Sequence, residues 1–413
     1  MAINSADTAW MLVSTALVML MTPGLAFFYG GLVRRKNILS IMMQCFILLG
    51  VISIQWVLFG YSLAFGNDHG GLIGGLGMAL FHGVNAAPSA HYATTVPQLL
   101  FALFQMMFAV ITPALIIGAF AERMKFSAFL LFSVLWTTIV YDPVAHWVWS
   151  AGGFLFHLGA LDFAGGTVVH INAGMAALAA ALVIGRRKGF PDISPPHNLP
   201  FAILGAALLW FGWFGFNAGS ALTSSSVAVY AFAATHLAAA AAALAWAVLE
   251  WIIGKRPTAL GVISGAVAGL VAITPASGYV SPISAIAIGV IAGMVCYFFV
   301  VVVKAKLGYD DSLDAFGVHG IGGIVGALLT GVFASAVVNS GILPVNQGHF
   351  QGHAKQVLIQ LAAVAVSAAY SFAMSWILLK LIDKFIGLRV SNDNEGIGLD
   401  LTQHSESAYT MVA

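Results

Sequence analysis

Residues 98–121 read QLLFALFQMMFAVITPALIIGAFA and contain no charged side chain. A helix of about 20 predominantly apolar residues is long enough to cross the hydrocarbon core of a bilayer. Such a helix satisfies its own backbone hydrogen bonds, whereas the strands of a membrane barrel would alternate apolar and polar residues. This stretch therefore predicts a transmembrane helix.

Similar stretches recur along the chain. Hydrophobic residues make up 60% of the 413 residues and charged residues 8%, against about a quarter charged in soluble domains. This composition excludes a soluble enzyme, and the formal net charge of +1 indicates neither nucleic acid nor an acidic partner. Eleven transmembrane spans are predicted, at about residues 8–32, 38–65, 98–121, 126–147, 165–185, 201–221, 227–252, 259–277, 280–303, 313–338 and 356–383.

Basic residues decide the predicted orientation, because cytoplasmic loops carry the excess of Lys and Arg. With eleven spans and the N-terminus outside, all of the 16 Lys and Arg residues except Lys355 lie on the cytoplasmic side. Asp7 precedes the first span and a basic cluster follows it, which is typical of a retained span rather than a signal peptide. The sequence thus predicts an all-α polytopic membrane protein with the N-terminus out and the C-terminus in.

The starts of the fifth and tenth spans are alike. Asp162 and His170 begin the fifth span, Asp314 and His319 begin the tenth, and Gly residues lie between them in both cases. This offset predicts two five-span halves and one extra helix, and because five is odd, the second half is inserted upside down as an inverted repeat. The halves extend over about residues 8–185 and 201–338, and the eleventh helix over about 356–383.

His170 and His319 are functional candidates, since ionisable residues inside a membrane are costly. A neutral imidazole has one donor and one acceptor, so two rings in contact would pass a proton along or hydrogen-bond a small polar substrate. The alternative is that each His only links two helices. At about 1.5 Å per residue, each His lies roughly 8–9 Å below opposite membrane faces, so contact between them requires recessed vestibules.

Polar and aromatic residues near the predicted helix ends allow two interpretations. Asp162 and Asp314 are interpreted first as caps of exposed N–H groups. Alternatively, a buried Asp near the outer mouth orients backbone carbonyls that help to recruit a cation. The aromatic residues form either an interfacial belt or a cation–π site, to which the hydroxyl of Ser220 would add an acceptor. They are Phe104, Phe108, Trp147, Trp149, Trp213 and Phe216.

The sequence contains no nucleotide-binding loop of the Walker type, no metal-ligand cluster at zinc-like spacing and no paired nucleophile and base. We therefore expect no enzymatic activity, no cofactor and no metal. The remaining classes are a channel, a secondary transporter and a membrane sensor.

Several motifs together resemble those of one family, the Amt/Rh ammonium transporters, and more closely its bacterial Amt branch. Their order and spacing agree with the family along nearly the whole chain. The motifs are PGLAFFYGGL (23–32), AER (121–123), AHWVW (145–149), DFAGGTVVHINAG (162–174), PHNLP (196–200), WFGFNAGS (213–220) and DAFGVHGIGG (314–323).

The resemblance implies eleven spans, a homotrimer in the inner membrane and one pore per subunit. It also implies the site residues: His170 and His319 as a histidine pair in the pore; Trp149, Phe108 and Ser220 as the outer ammonium-recruiting site; Phe108 and Phe216 as the gate; Asp162 and Asp314 as structural support. The hypothesis is an ammonium transporter that recruits ammonium outside, removes its proton and conducts ammonia. A membrane ammonium sensor and an electroneutral ammonia gas channel are the alternatives.

The predicted transmembrane domain covers residues 1–386, and residues 387–413 form a cytoplasmic regulatory tail. By composition alone the tail is expected to be disordered, since it lacks apolar periodicity. It resembles the family's tail, which works with a PII-type signal protein at the inner pore mouths. The family often has His-Gly-Glu where this chain has His404, Ser405 and Glu406, which places the conformation of this segment in question.

Overall fold

The computed structural model describes residues 2–192, 195–342 and 354–409. Within them, ten helices are long and apolar enough to cross a membrane, and one further apolar helix, α8, is shorter. The α-helices of six or more residues are α1 (Ser5–Leu32), α2 (Arg35–Phe65), α3 (Gln98–Phe120), α4 (residues 126–149), α5 (Gly166–Ile184), α6 (Leu199–Gly219), α7 (Ser226–Gly254), α8 (Ala259–Ile273), α9 (Pro282–Leu307), α10 (Phe316–Phe333), α11 (Ala354–Ile386), α12 (Asn392–Ile397) and α13 (Leu399–His404). A short helix at Phe154–Leu158 follows α4.

The all-α membrane fold is confirmed, and each predicted span overlaps one of α1–α11. The count of eleven spans and the orientation stay predictions. We call the side of the molecule at which α3 begins and α4 ends the outer side, following the predicted orientation, and the opposite side the inner side.

Four short strands in the loop between α2 and α3 were not predicted. They are β1 (Asp68–His69), β2 (Ile73–Gly74), β3 (Pro88–Ser89) and β4 (Ala93–Pro97). β1 pairs antiparallel with β2 and β3 with β4, so the loop forms two small hairpins on the outer side.

The two halves of the chain meet where α5 crosses α10. A Cβ atom on Gly174 of α5 would collide with the backbone of Gly320 of α10, so only glycine allows the two helices to come this close. His319 directly precedes Gly320, and His170 lies one turn before Gly174. The small residues at this crossing therefore bring the two histidines towards each other across the repeat.

Wide π-type turns occur in the last two helices of each half. They cover Thr137–Tyr141 in α4, Phe298–Val303 in α9, Gly166–Ile171 in α5 and Phe316–Gly320 in α10. One more, at Trp56–Gly60 in α2, does not follow the repeat. Such turns are rare and are often found at functional sites. His170 lies in the turn of α5 and His319 in the turn of α10, so the local helix geometry repeats together with these two residues.

A buried ion network ties the loops of the inner side together. Glu122, which is 1% exposed, accepts hydrogen bonds from the backbone N–H and the guanidinium of Arg34 at 2.7 and 2.8 Å, and lies 3.5 Å from Arg187. Burial alone would raise the pKa of the Glu122 carboxyl, but the charges of Arg34 and Arg187 and the hydrogen bonds from Arg34 hold that pKa below its usual value. Glu122 is therefore charged in the folded protein and clamps the loops after α1, α3 and α5.

The tail is folded onto this inner side, and the expectation of disorder from composition is wrong. The backbone N–H of Val390 donates to Arg123 O at 3.0 Å, and that of Lys125 donates to Leu388 O at 2.8 Å. Further along, the N–H of Leu399 donates to the Asn37 side chain at 2.8 Å. Leu388, Val390 and Leu399 of the tail are also buried. The tail is therefore ordered by both polar and apolar contacts to segments that are distant in sequence.

Ser405 ends α13 in a conformation that favours glycine. Its φ angle is +56°, its N–H donates to Leu401 O at 3.0 Å and the N–H of Glu406 donates to Asp400 O at 3.1 Å. The chain therefore adopts at Ser405 the left-handed helix end that a Gly at this position would take. Ser405 therefore adopts this conformation at the cost of local backbone strain.

Replacing Ser405 with Gly is expected to relieve this strain, about 1 kcal/mol, and to slow amide exchange in residues 399–406 by roughly fivefold. Hydrogen–deuterium exchange on the purified protein measures it. Ser407→Gly is the control, because Ser407 does not have a positive φ angle, and no slowing is expected there. Faster exchange in Ser405→Gly would show that the strain is not present.

Candidate functional site

Two aspartates cap the helices that carry the histidines. The Asp162 carboxylate accepts the backbone N–H groups of residues 165–168 at 2.6–3.0 Å, at the outer start of α5. At the inner start of α10 the N–H groups of Ala315 and Phe316 are bound by Asp311, at 3.1 and 2.8 Å. Asp162 and Asp311 each lie eight residues before their histidine, and each caps its helix from the opposite side of the molecule.

The prediction that Asp314 caps α10 is therefore wrong, because the cap is Asp311, three residues earlier in the chain. Asp314 instead forms an ion pair with Lys304 of α9, and it has a φ angle of +60°. Sequence similarity favoured Asp314 because it directly precedes the Gly-containing motif. The backbone reverses between Asp311 and α10, and no residue pattern shows this reversal.

The outer site is a cavity of about 220 Å³ on the outer side, and it contains three of the predicted recruiting residues. Trp149 and Phe108 meet edge to face with ring centroids 5.8 Å apart. Ser220 donates its hydroxyl proton to Phe216 O at 2.8 Å, which leaves the oxygen lone pairs free to accept. The complete lining is Phe65, His91, Tyr92, Phe101, Gln105, Phe108, Trp149, Phe163, Ser220 and Leu222.

Trp149 is held in place by the loop that also carries the aspartate cap. Its indole N–H donates to Asp162 O at 2.9 Å, while the Asp162 carboxylate binds the start of α5. The hydrogen-bonding capacity of the indole is thereby used, and its ring remains at the cavity wall. A cation in this cavity would meet aromatic rings and neutral oxygen atoms, since none of the described residues that line it carries a carboxylate.

Phe108 and Phe216 separate this cavity from the interior. Their ring centroids lie 4.2 Å apart with an interplanar angle of 32°, and both side chains are buried. Below them His170 lies 6.0 Å from the Phe216 ring. The stacked phenyl rings therefore close the path from the outer cavity to the histidines, in the place predicted for the gate.

His170 and His319 are brought together, as the resemblance to the family implied. Their ring centroids lie 5.4 Å apart with an interplanar angle of 19°. Within the described residues, both ring nitrogens of His170 and the Nδ1 of His319 are buried without a hydrogen-bond partner. Unpaired nitrogen atoms in an apolar interior are costly, so these atoms are available to a small polar ligand.

The space around the histidines is narrow and apolar. It has a volume of about 10 Å³, roughly the room that one water molecule requires. Its lining consists of Met21, Leu25, Phe28, Ile111, Leu115, Val169, His170, Leu209, Trp213, Phe216, Val267 and His319. Only a ligand of about the size of water or ammonia fits without movement of the walls.

A larger cavity of about 400 Å³ begins at His319 and opens to the inner side. Its walls include Tyr29, Lys304 and Asp314. With the outer cavity it supplies the recessed vestibules that contact between the histidines requires. The route through the molecule runs from the outer cavity past Phe108 and Phe216 to the space around the histidines and on to the inner cavity. Each part shares wall residues with the next.

Sequence reasoning missed two residues of this route and misplaced one. Gln105 lines the outer cavity with a buried Oε1 that has no partner, and its polarity inside an otherwise apolar span was the available signal. Tyr92 comes from the hairpin loop, which carries no membrane signal. Trp213 was grouped with the outer aromatics, but it stacks on His170 at 5.4 Å and donates to Thr274 at 2.9 Å.

A helical membrane bundle that surrounds one narrow apolar route defines a transporter or channel for a very small ligand. The chain matches the model of the Ammonium Transporter Family over residues 9–409. It is 54% identical to an ammonium transporter of Bacillus subtilis, over 98% of both chains. The chain therefore belongs to the ammonium transporter family, and the resemblance in its motifs is confirmed.

Solved structures also match the chain over nearly its whole length. Mep2 of Saccharomyces cerevisiae matches with a TM-score of 0.88 at 40% identity, covering 95% of this chain and 88% of that one. A protein described as a sensor Amt protein also matches with a TM-score of 0.88, at 32% identity, covering 97% of this chain and 98% of that one.

Replacing Trp149 with Leu is expected to raise the ammonium concentration for half-maximal uptake by about 2- to 30-fold, the equivalent of a cation–π contact of roughly 0.5–2 kcal/mol. Uptake by proteoliposomes at increasing ammonium concentration measures it. Trp251→Leu, at a tryptophan that is 64% exposed on α7, is the control. An unchanged half-saturation in Trp149→Leu would exclude the recruiting role.

Proposed function

We propose that the protein binds ammonium in the outer cavity, removes one proton and conducts ammonia past His170 and His319 to the inner side. The observation that supports the proposal most strongly is the unpartnered histidine pair inside a chamber of about 10 Å³. Membership of the ammonium transporter family identifies ammonium or ammonia as the transported species.

Recruitment depends on aromatic rings and neutral oxygens. Ammonium carries four N–H groups, and Trp149 and Phe108 offer ring faces while Ser220 offers a hydroxyl oxygen. Because no carboxylate lines the cavity, binding remains weak enough for the cation to leave again. Asp162 supports the site indirectly, through the carbonyl that holds the Trp149 indole.

Deprotonation follows from desolvation. A charged ammonium that enters an apolar chamber loses its hydration, and this loss favours neutral ammonia over the cation. Potassium resembles ammonium in charge and size but has no proton to lose. The same chamber therefore excludes potassium while it admits ammonia.

The histidine pair gives the proton its own route. Each neutral imidazole has one N–H donor and one acceptor nitrogen, so a proton taken up at one ring can leave from the other when a small hydrogen-bonded molecule, such as ammonia or water, bridges the two rings. His170 lies on the side of the phenyl gate, and His319 lines both the chamber and the inner cavity. Separate movement of ammonia and proton through this pair makes transport electrogenic.

A membrane ammonium sensor is the second candidate, because a structure of that description matches over nearly the whole chain. In a sensor the same site binds ammonium and conduction is minor. An electroneutral ammonia channel shares the pore but leaves the proton behind. Trp149 at the recruiting position favours the transporter, since it serves a cation rather than a neutral gas.

Three further features are proposed on the basis of family membership. They are a homotrimeric assembly, a position in the inner membrane and regulation through residues 387–413 by a PII-type signal protein. The folded tail lies beside the loops of the inner side. A signal protein that binds there would contact the tail and the inner pore mouth together.

Replacing both His170 and His319 with Leu is expected to abolish the ammonium-evoked current or to admit potassium, because the proton loses its relay. Electrical recording from proteoliposomes measures both effects. His236→Leu is the matched control, since His236 lies on α7 against Trp210 and does not line the route. An unchanged ammonium current with potassium still excluded would contradict the relay.

A further inference from the structure

A groove on the membrane-facing surface lies between α5 and α11. It has a volume of about 500 Å³, and it is lined by Leu182 of α5 and by Phe372, Ala373, Trp376 and Ile377 of α11. Leu182 and Ile377 are each about half exposed, at 47% and 48%. The groove is therefore apolar, open on one side and separate from the pore.

Two lysines continue the same stripe of α11 beyond the groove. Ala373, Ile377, Lys380 and Lys384 follow one another at helical spacings of three and four residues, so they share one face. Lys380 reaches back over the Trp376 ring, with its Nζ 5.6 Å from the ring centroid. At about 1.5 Å per residue, Lys384 lies roughly 10 Å from Ile377 towards the inner end of the helix.

The charges of Lys380 and Lys384 are not balanced by a nearby ion pair in the described part of the chain. The neighbouring Asp383 is engaged with the backbone N–H of Leu388 at 3.0 Å. The inner end of the stripe thus carries two free positive charges next to an apolar groove.

We propose that this groove is a binding site for one anionic phospholipid of the inner leaflet. An acyl chain lies against Phe372 and Trp376, and the negatively charged headgroup lies at Lys380 and Lys384. The polar layer of a bilayer leaflet is about 5–8 Å deep beyond the hydrocarbon, and the lysines lie one to two helical turns past the groove. Both parts of a phospholipid therefore meet matching chemistry at the correct depth.

The site is also close to the pore helices. Ser371, next to the groove residue Phe372, donates its hydroxyl to Asn172 O of α5 at 2.6 Å. Asn172 lies two residues from His170. A lipid in the groove braces the same helix pair that carries the pore histidine, but its binding does not depend on the transport mechanism.

Quenching of Trp376 by brominated lipid tests the proposal. The protein is placed in phosphatidylcholine nanodiscs with increasing fractions of brominated phosphatidylglycerol, and the signal of Trp376 is the difference between the wild type and Trp376→Phe. Half of the Trp376 fluorescence is expected to be quenched at a low fraction of brominated phosphatidylglycerol. In the Lys380→Gln/Lys384→Gln variant about 25 times more phosphatidylglycerol is required, at about fivefold for each lysine.

Lys255→Gln/Arg256→Gln is the matched control, because it removes two exposed charges at the inner end of α7, away from the groove. No shift is expected there, and an equal shift would show general attraction to the membrane instead of a site. Equal quenching by brominated phosphatidylcholine would overturn the preference for an anionic lipid. Absence of any Trp376 quenching would show that another occupant, such as a second copy of the chain, covers the groove.

Discussion

The high cost of placing a charge in an apolar chamber is the constraint on which this molecule depends. The chamber around His170 and His319 has room for about one small neutral molecule and no charged partner for a cation. In the proposed function, recruitment takes place above it, in the cavity lined by Trp149, Phe108 and Ser220, which offers weak, neutral contacts. In this account selectivity is achieved by proton loss, so the walls do not need to discriminate between ammonium and potassium.

The inverted repeat supplies the geometry for this chamber. Each half ends in a helix that starts with an aspartate cap, passes through a π-type turn and carries one histidine eight residues after the cap. Because the halves are inverted, the two caps lie on opposite sides and the histidines meet near the centre. The glycines at the crossing of α5 and α10 allow the backbones to approach closely enough for this contact.

Much of the fold follows from the sequence, since continuous apolar stretches and basic loops are strong local signals. The repeated position marked His170 and His319 as candidates, while their pairing and the recruiting residues came from the resemblance to a family. Asp311 was missed because the chain reverses between it and α10, and composition does not encode that reversal. The tail was predicted as disordered because its contacts, such as that of Leu399 with Asn37, join segments far apart in sequence.

The most direct test of the account is the current from proteoliposomes on a solid-supported membrane after an ammonium pulse, with an equal potassium pulse as control and internal pH recorded on the same vesicles. The account predicts a transient inward positive current for ammonium and none for potassium. Internal alkalinisation without current would show that ammonia crosses alone and would contradict the proton relay. Equal currents for both ions would contradict selection by proton loss.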